Sequence, residues 1–414
     1  MRTMKMRKVL IIALILMFAG CLTARADEFQ VIHEFAGGAD DGEKPYGSLI
    51  MGSGTLYGMT SKGGDSNLGT IFKINPNGSG FNLLHEFAGY PDDGYAPQGS
   101  LIMDPVTLTL YGMAHTGGDS WRGTVFRINP DGTGYNLLHE FAGGADDGRY
   151  PYGSLVMDSG TLYGMTSEGG DSNKGTVFRV NSGGTGFTLL HDFAGGADDG
   201  YSPLGDLIMD SGTLYGMTKW GGDSNFGTIF KINPDGGGFT LLHEFTGGAD
   251  DGSRPRGSLM IDSGTLYGMT IYGGTGRGVV FSINADGTGF NPLHKFYDVA
   301  NGGYPYGSLI MDSGKLYGMA NYAGTVFEIN PDGTGFNNLH EFHGGVGDGL
   351  DPRGRLIMDS GTLYGMTYDG GGSYKGTIFS LTLAGGGEVP ELPPGAMGLL
   401  FLGFAFLFRK LRLI

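Results

Sequence analysis

The chain has 414 residues, 83 of them glycine and one cysteine, with 40% hydrophobic residues and a formal net charge of −16. A surface this acidic repels phosphate backbones, which argues against nucleic acid as a partner. The sole cysteine, Cys21, lies in the first 26 residues, so the remainder forms no disulfide and no thiolate metal site and is held by packing and hydrogen bonds.

Residues 1–26 read as an export signal. Arg2, Lys5, Arg7 and Lys8 make a basic start, and residues 9–18 an apolar run too short for a membrane span. Ala24-Arg25-Ala26 then fits a small-x-small cleavage site before Asp27. A second reading stays open at Phe18-Ala19-Gly20-Cys21, a lipoprotein box with Cys21 acylated.

Residues 27–384 repeat. Leu-Tyr-Gly-Met begins at Leu56, Leu110, Leu162, Leu214, Leu266, Leu316 and Leu363, spaced by 54, 52, 52, 52, 50 and 47 residues. Self-similarity at such a period marks a repeat architecture. In residues 205–245 the unit shows four short runs: Leu207-Ile-Met, Thr213-Leu-Tyr-Gly-Met-Thr, Gly227-Thr-Ile-Phe-Lys-Ile-Asn and Phe239-Thr-Leu-Leu-His-Glu-Phe. They are β-branched and aromatic, bounded by Gly, Pro, Asp and Asn, and no 3.6-residue apolar period is sustained, so they predict strands.

Four short strands joined by tight turns predict one antiparallel sheet per repeat, and such a sheet needs neighbours on its faces. Radial stacking supplies them, so the expected fold is an all-β, seven-bladed β-propeller with four antiparallel strands per blade. The run at 29–35 matches a fourth strand but has no preceding partners, while the last repeat stops after its third run, 376–383. The N-terminal run is therefore expected to complete the seventh blade and close the ring.

Residues 385–414 form a linker and tail. A glycine-rich stretch leads to Val389-Pro390-Glu391, an apolar run at 395–408, and Arg409, Lys410 and Arg412. A helix of that run spans about 21 Å, short of the roughly 30 Å hydrocarbon core. The expectation is a temporary inner-membrane stop with its basic end cytoplasmic.

The Leu-Tyr-Gly-Met-Thr core, the Gly-Gly-Asp-Ser-Asn-x-Gly-Thr-Ile/Val-Phe segment and the Asn-Pro-Asp-Gly-Thr-Gly-Phe turn recur together over residues 28–383. In these motifs the chain resembles the GloVer tandem-repeat, or choice-of-anchor, family of exported bacterial proteins. The tail resembles a PEP-CTERM sorting signal through Val389, Pro390, Glu391, the apolar run and the basic end, and departs from it at Leu392, where the common pattern has a second proline. These resemblances imply an exosortase-type processing partner and a Gram-negative host. They imply no defined activity.

A histidine recurs at each fourth strand: His33, His85, His139, His191, His243, His294 and His340. Seven equivalent copies around a ring point to a structural hydrogen-bonding residue rather than a catalytic one. His115 and His343 stand outside this pattern. Acidic pairs Asp40-Asp41, Asp92-Asp93, Asp146-Asp147, Asp198-Asp199 and Asp250-Asp251 lie between fourth and first strands. Gly-Gly-Asp loops with Asp65, Asp119, Asp171 and Asp223 lie between second and third strands, at the same end of each blade. Two readings apply: turn formers, or weak extracellular calcium sites, with the five pairs as candidate ligands. No other cofactor is implied. The loop before the sixth blade has only Asp298 and that before the seventh has Asp348 and Asp351. No Gly-x-x-x-x-Gly-Lys-Ser/Thr phosphate cradle occurs, the glycines do not recur every nine residues, and two tryptophans are too few for a kelch repeat.

The expected function is that of an exported, surface-associated binding or structural module, not an enzyme, with an extracellular glycan or protein as ligand. The alternative is a secreted polysaccharide-active lyase or hydrolase on the same scaffold. Enzymatic chemistry calls for unrepeated polar residues converging on the axis, and the periodic sequence offers few departures from repetition.

Overall fold

The computed structural model describes residues 27–274, 276–297 and 302–384. The expected export signal, the sorting motif Val389-Pro390-Glu391 and Asp298 lie outside them. The described residues are all-β and contain no helix. The chain separates into a large unit, Phe29–Met358 with Leu363–Leu381, and a small one, Met1–Glu28, Asp359–Thr362 and Thr382–Ile414. Within the small unit, the Ala384 amide donates to the Asp27 carboxylate at 2.7 Å and the Leu383 amide to the Gly361 carbonyl at 3.0 Å.

Each of the seven blades has four antiparallel strands, which follow chain order in the first six. In the fourth blade these are Ile208–Asp210, Thr213–Thr218, Thr228–Ile232 and Thr240–Glu244. The seventh takes its outer strand, Glu28–Glu34, from the other end of the sequence, paired with Thr377–Thr382. The Phe35 amide bonds the Gly376 carbonyl at 3.0 Å, repeating the bond from Phe141 to Gly123 in the second blade. Short pairs such as Gly42–Glu43 with Lys62–Gly63 tie the entering chain to the segment after the second strand in every blade but the sixth, among the described residues. The sequence pattern did not anticipate them.

The glycine of Leu-Tyr-Gly-Met makes room for a ring. Gly216 sits opposite Phe230, and a Cβ on it would lie 2.6 Å from Phe230 Cζ. The same relation joins Gly58 with Phe72 and Gly164 with Phe178, and these phenylalanines are fully buried. Because the strands are covered on both faces, side chains of alternate parity pack on different neighbours. Tyr215, Met217, Ile229 and Phe245 of the fourth blade meet Leu266, Phe281 and Ile283 of the fifth. Tyr364, Met366, Ile378 and Phe35 of the seventh meet Leu49, Leu56, Phe72 and Ile74 of the first, so the same contact closes the ring. Burying a side chain of this size contributes roughly 1.5–3 kcal/mol, which explains how a glycine-rich, disulfide-free ring holds together.

Candidate functional site: the axial mouth

The recurring histidines and aspartates form one structural device. In the third and fourth strands of the second blade, Val125 pairs with His139 and Phe126 with Leu137, leaving Leu138 as the extra residue of a β-bulge. The bulge re-aims the histidine. His139 Nε2 then lies 3.1 Å from Asp147 Oδ1, eight residues on. Asp147 also accepts the Ala142 amide at 2.7 Å and the Gly148 amide at 2.8 Å. His33 with Asp41, His85 with Asp93, His191 with Asp199, His243 with Asp251 and His340 with Asp348 repeat the bond at 3.0–3.2 Å. Each imidazole also stacks on an aromatic ring of the next blade, as His139 does on Phe187 with centroids 3.6 Å apart.

Two blades vary this device. In the second, Tyr135 replaces the phenylalanine and donates to Asp93 at 2.5 Å. Burial alone would raise the Asp93 pKa, but the bonds from His85, Tyr135 and the Ala88 amide hold it below the usual carboxylate range. In the fifth, His294 has no aspartate eight residues on, its Nε2 is buried without a partner among the described residues, and burial pushes its pKa down to about 4.

The second aspartate of each pair thus closes a turn with both oxygens engaged. The first aspartates, Asp40, Asp92, Asp146, Asp198 and Asp250, are exposed. Of these, Asp250 pairs with Lys295. Asp119 and Asp223 sit in loops whose own backbone amides donate to Glu140 and Glu244 at 2.8 Å. Among the described residues, no three His, Cys, Asp or Glu side chains converge as a metal site.

What converges is different. Each blade's inner strand is preceded by Pro-x-Gly, and these glycines meet around the axis. A Cβ on Gly47 would overlap the Gly99 carbonyl, one on Gly99 the Gly153 carbonyl, and so on through Gly205, Gly257, Gly307 and Gly354 back to Gly47. Beside them, the Ser48 amide donates to Ser100 Oγ, Ser100 to Ser154, Ser154 to Asp206 Oδ1, Asp206 to Ser258 and Ser258 to Ser308, each at 2.6–2.8 Å. The Arg355 amide returns to Ser48 Oγ at 2.8 Å. Such close approach of backbones requires glycine.

The x of Pro-x-Gly does not repeat. Tyr46, Gln98, Tyr152, Leu204, Arg256, Tyr306 and Arg353 ring a small axial cavity of about 60 Å³ above the glycines. Seven departures from repetition are therefore gathered at the axis, which periodicity along the sequence does not reveal. Their signal was present as the one variable position inside a constant motif.

This mouth is cationic and aromatic. Arg256 donates to the Tyr46 hydroxyl and lies 4.9 Å from the Tyr306 ring centroid. Arg353 lies 3.7 Å from the Tyr368 centroid and 4.9 Å from that of Tyr46, and pairs with Asp351 at 2.6 Å. Arg254 sits 4.3 Å over Trp220, and its Nε is buried without a partner among the described residues. Burial, and then the positive charges of Arg256 and Arg254, hold Lys219 below the usual lysine range. Burial raises the pKa of Tyr152 and Tyr306 against the pull of Arg256, so both stay protonated donors.

His115 stands on the same rim. Its ring meets Tyr152 edge-on at 4.3 Å and stacks on Tyr150 at 5.3 Å. Its Nε2 is buried without a partner among the described residues, and burial pushes its pKa down to about 4, leaving a neutral imidazole at pH 7. Its isolation from the histidine pattern was the only sequence signal for it.

A family model, the Gloeobacter/Verrucomicrobia repeat, matches residues 21–218 and 186–379. The chain belongs to this repeat family. No curated protein matches it. Solved structures similar to this Gloeobacter/Verrucomicrobia repeat protein include an oligogalacturonate lyase in complex with manganese, 12% identical, with a TM-score of 0.52 and coverage of 86% of this chain and 90% of that one. A puromycin hydrolase is 10% identical, with a TM-score of 0.52 and coverage of 79% of this chain and 50% of that one. At such identities the likeness is one of fold. In this repeat protein the variable residues of Pro-x-Gly sit where the blades meet at the axis.

Proposed function

We propose that this protein is an exported, surface-associated binding module whose axial mouth holds an acidic oligosaccharide, a chain of uronate residues. The observation that carries the reading is the placing of Arg256 and Arg353 on the lining of the mouth, with Arg254 and the partly buried Lys219 beside them. Like charges held together without enough counter-charge favour an anion. Guanidinium groups suit carboxylates by their planar fork of donors. Tyr46, Tyr152, Tyr306 and Trp220 offer ring faces for the apolar side of a pyranose. The fold is shared with a lyase named for an acidic oligosaccharide, which supports the ligand class by analogy only.

Calorimetric titration with galacturonate oligomers against neutral gluco-oligomers tests this. Arg256→Met and Arg353→Met should each weaken acidic binding by about tenfold, with affinity falling as salt rises. Binding unchanged in both variants would sink the reading, as would no preference for the acidic series.

His115 favours a second reading, a polysaccharide lyase. A neutral imidazole in ring contact with Tyr152, a protonated tyrosine within the field of Arg256, is a set suited to β-elimination. His115 would take the proton α to a uronate carboxylate, whose developing charge Arg256 and Arg353 would stabilise. Those electrons form the C=C bond as the glycosidic C–O bond breaks, and Tyr152 protonates the leaving oxygen. The assay is ultraviolet absorbance of the unsaturated product; product formation that is lost in His115→Ser supports catalysis, and no product supports the binding module.

We further propose that residues 1–26 direct export and that 385–414 act as a sorting tail processed near Val389-Pro390-Glu391 by an exosortase-type enzyme, releasing the protein to the cell surface or medium. Intact mass of the protein from cells and medium tests the address. A chain from Asp27 to near residue 390 supports it, and an intact Ile414 terminus or an acylated Cys21 overturns it.

A further inference from the structure

We infer that Tyr90 and Trp121 form a second, peripheral platform that binds the ring face of a neutral glycan. The two side chains are 54% and 50% exposed, yet their rings are already stacked, with centroids 5.7 Å apart and planes 11° from parallel. They come from different loops of the second blade, and each is a departure from the repeat. Tyr90-Pro91 stands where the first, third and fourth blades have Gly38-Ala39, Gly144-Ala145 and Gly196-Ala197. Trp121 stands where those blades have Asn67, Asn173 and Asn225.

The tryptophan is the costlier departure. Its backbone is left-handed, φ 57°, like that of the asparagines it replaces, at φ 55–56°. Asparagine favours that region and bulky residues adopt it at a cost; Tyr374, at the same position in the seventh blade, is the other aromatic there, at φ 55°. Each asparagine also accepts the backbone amide four residues before it, Asn67 from Gly63 at 3.0 Å, Asn173 from Gly169 at 3.2 Å and Asn225 from Gly221 at 3.1 Å. An indole cannot accept that bond. The loop thus gives up a hydrogen bond and a favoured residue to present an aromatic face to solvent. Strain of this sort gathers at functional positions, and stability gives no account of it because half of each ring stays wet.

The chemistry of the surroundings selects the ligand. The same two loops carry Asp92 and Asp119, both exposed. Arg122 is turned away, donating to the Ala142 carbonyl of its own blade. A flat apolar face flanked by carboxylates suits the C–H face of a pyranose, with carboxylate oxygens accepting from its hydroxyls. It disfavours the uronates proposed for the axial mouth. The platform thus stands independently of that reading.

The two tryptophans allow a clean test, because Trp220 reports the mouth and Trp121 the platform. In full-length Trp220→Phe protein, Trp121 is the sole indole. Titration with a neutral β-linked gluco-oligosaccharide should quench or blue-shift its fluorescence saturably, at millimolar affinity. Trp121→Asn restores the residue of the sister blades and so keeps the loop folded. In an otherwise native background it should weaken calorimetric binding of the neutral oligosaccharide about tenfold or more, as should Tyr90→Ala, while galacturonate binding stays unchanged. No saturable fluorescence change, or equal neutral-glycan binding by Trp121→Asn, overturns the proposal. So does a fluorescence change that appears only with a protein partner. Loss of galacturonate binding in Arg256→Met with the Trp121 signal intact would concern the mouth alone.

Discussion

The imidazole of His340 lies flat on the ring of Phe29, with centroids 3.6 Å apart and planes 6° from parallel. Phe29 lies in the N-terminal strand and His340 in the outer strand of the sixth blade, and their stack matches those between blades adjacent in sequence, such as His191 on Phe239 at 3.8 Å. The N-terminal strand also supplies His33, which stacks on Phe81 of the first blade at 4.0 Å. One strand therefore joins the seventh blade to both of its neighbours.

Phe29→Ala should cost about 2 kcal/mol, since the ring is half-buried and also meets Phe342 and Phe379. Phe187→Ala, at an equivalent stack inside the ring, should cost a similar amount by urea unfolding. Removing residues 27–36 altogether should expose an unpaired strand edge and lead to association. A monomer of unchanged melting temperature after that deletion would contradict the closing role.

Gly216→Ala should destabilise by about 1–3 kcal/mol, because the new methyl would press on Phe230 and on Leu207 Cδ2, 3.0 Å away, in a sealed core. Gly183→Ala is the control. A Cβ there meets nothing within 4 Å, so its cost should stay within about 0.5 kcal/mol. Thermal denaturation of the two variants side by side measures the difference.

The paired aspartates should separate. Asp147→Ala strips an acceptor from His139 and two backbone amides and should cost about 1–3 kcal/mol. Asp146→Ala, at an exposed carboxylate, should stay within about 0.5 kcal/mol. Both are to be measured with and without millimolar calcium. A calcium-dependent rise in Tm that Asp146→Ala reduces in part, the other blades being intact, would assign the first aspartates a cation.

Acid should destabilise the ring through its buried neutral histidines. Burial lowers the pKa of His115 and His294 to about 4, and lowers that of His340 against the opposing bond from Asp348. In the unfolded chain a histidine titrates near 6.5. Between these values the unfolded state binds protons that the folded state does not, so stability falls as pH drops from about 6.5 toward 4. For His115 the effect is on the order of 3 kcal/mol at most. His115→Ser, the residue at the equivalent Ser61 and Ser167, should flatten the slope of Tm against pH in that window. An unchanged slope would show that His115 does not stay neutral.

By itself the sequence determined the architecture. Leu-Tyr-Gly-Met set the number of blades, the alternation of short apolar runs with Asp-Gly and Asn-Pro turns set the strands, and the unpartnered run at 29–35 set the closure. These are local or periodic relations, and hydrogen bonding within a repeat imposes them seven times over. The tertiary structure alone decided what the exceptions do. Tyr46, Arg256 and Arg353 lie far apart in sequence, and become neighbours because glycine backbones pack in van der Waals contact around the axis. His139 and Asp147 meet because a bulge at Leu138 turns the imidazole toward the loop. Tyr90 and Trp121 meet because two loops leave the same end of one sheet. A repeat pattern treats such residues as noise, since its signal is the average over blades, whereas the closed ring gathers each blade's departures onto one surface, where their charges and rings interact.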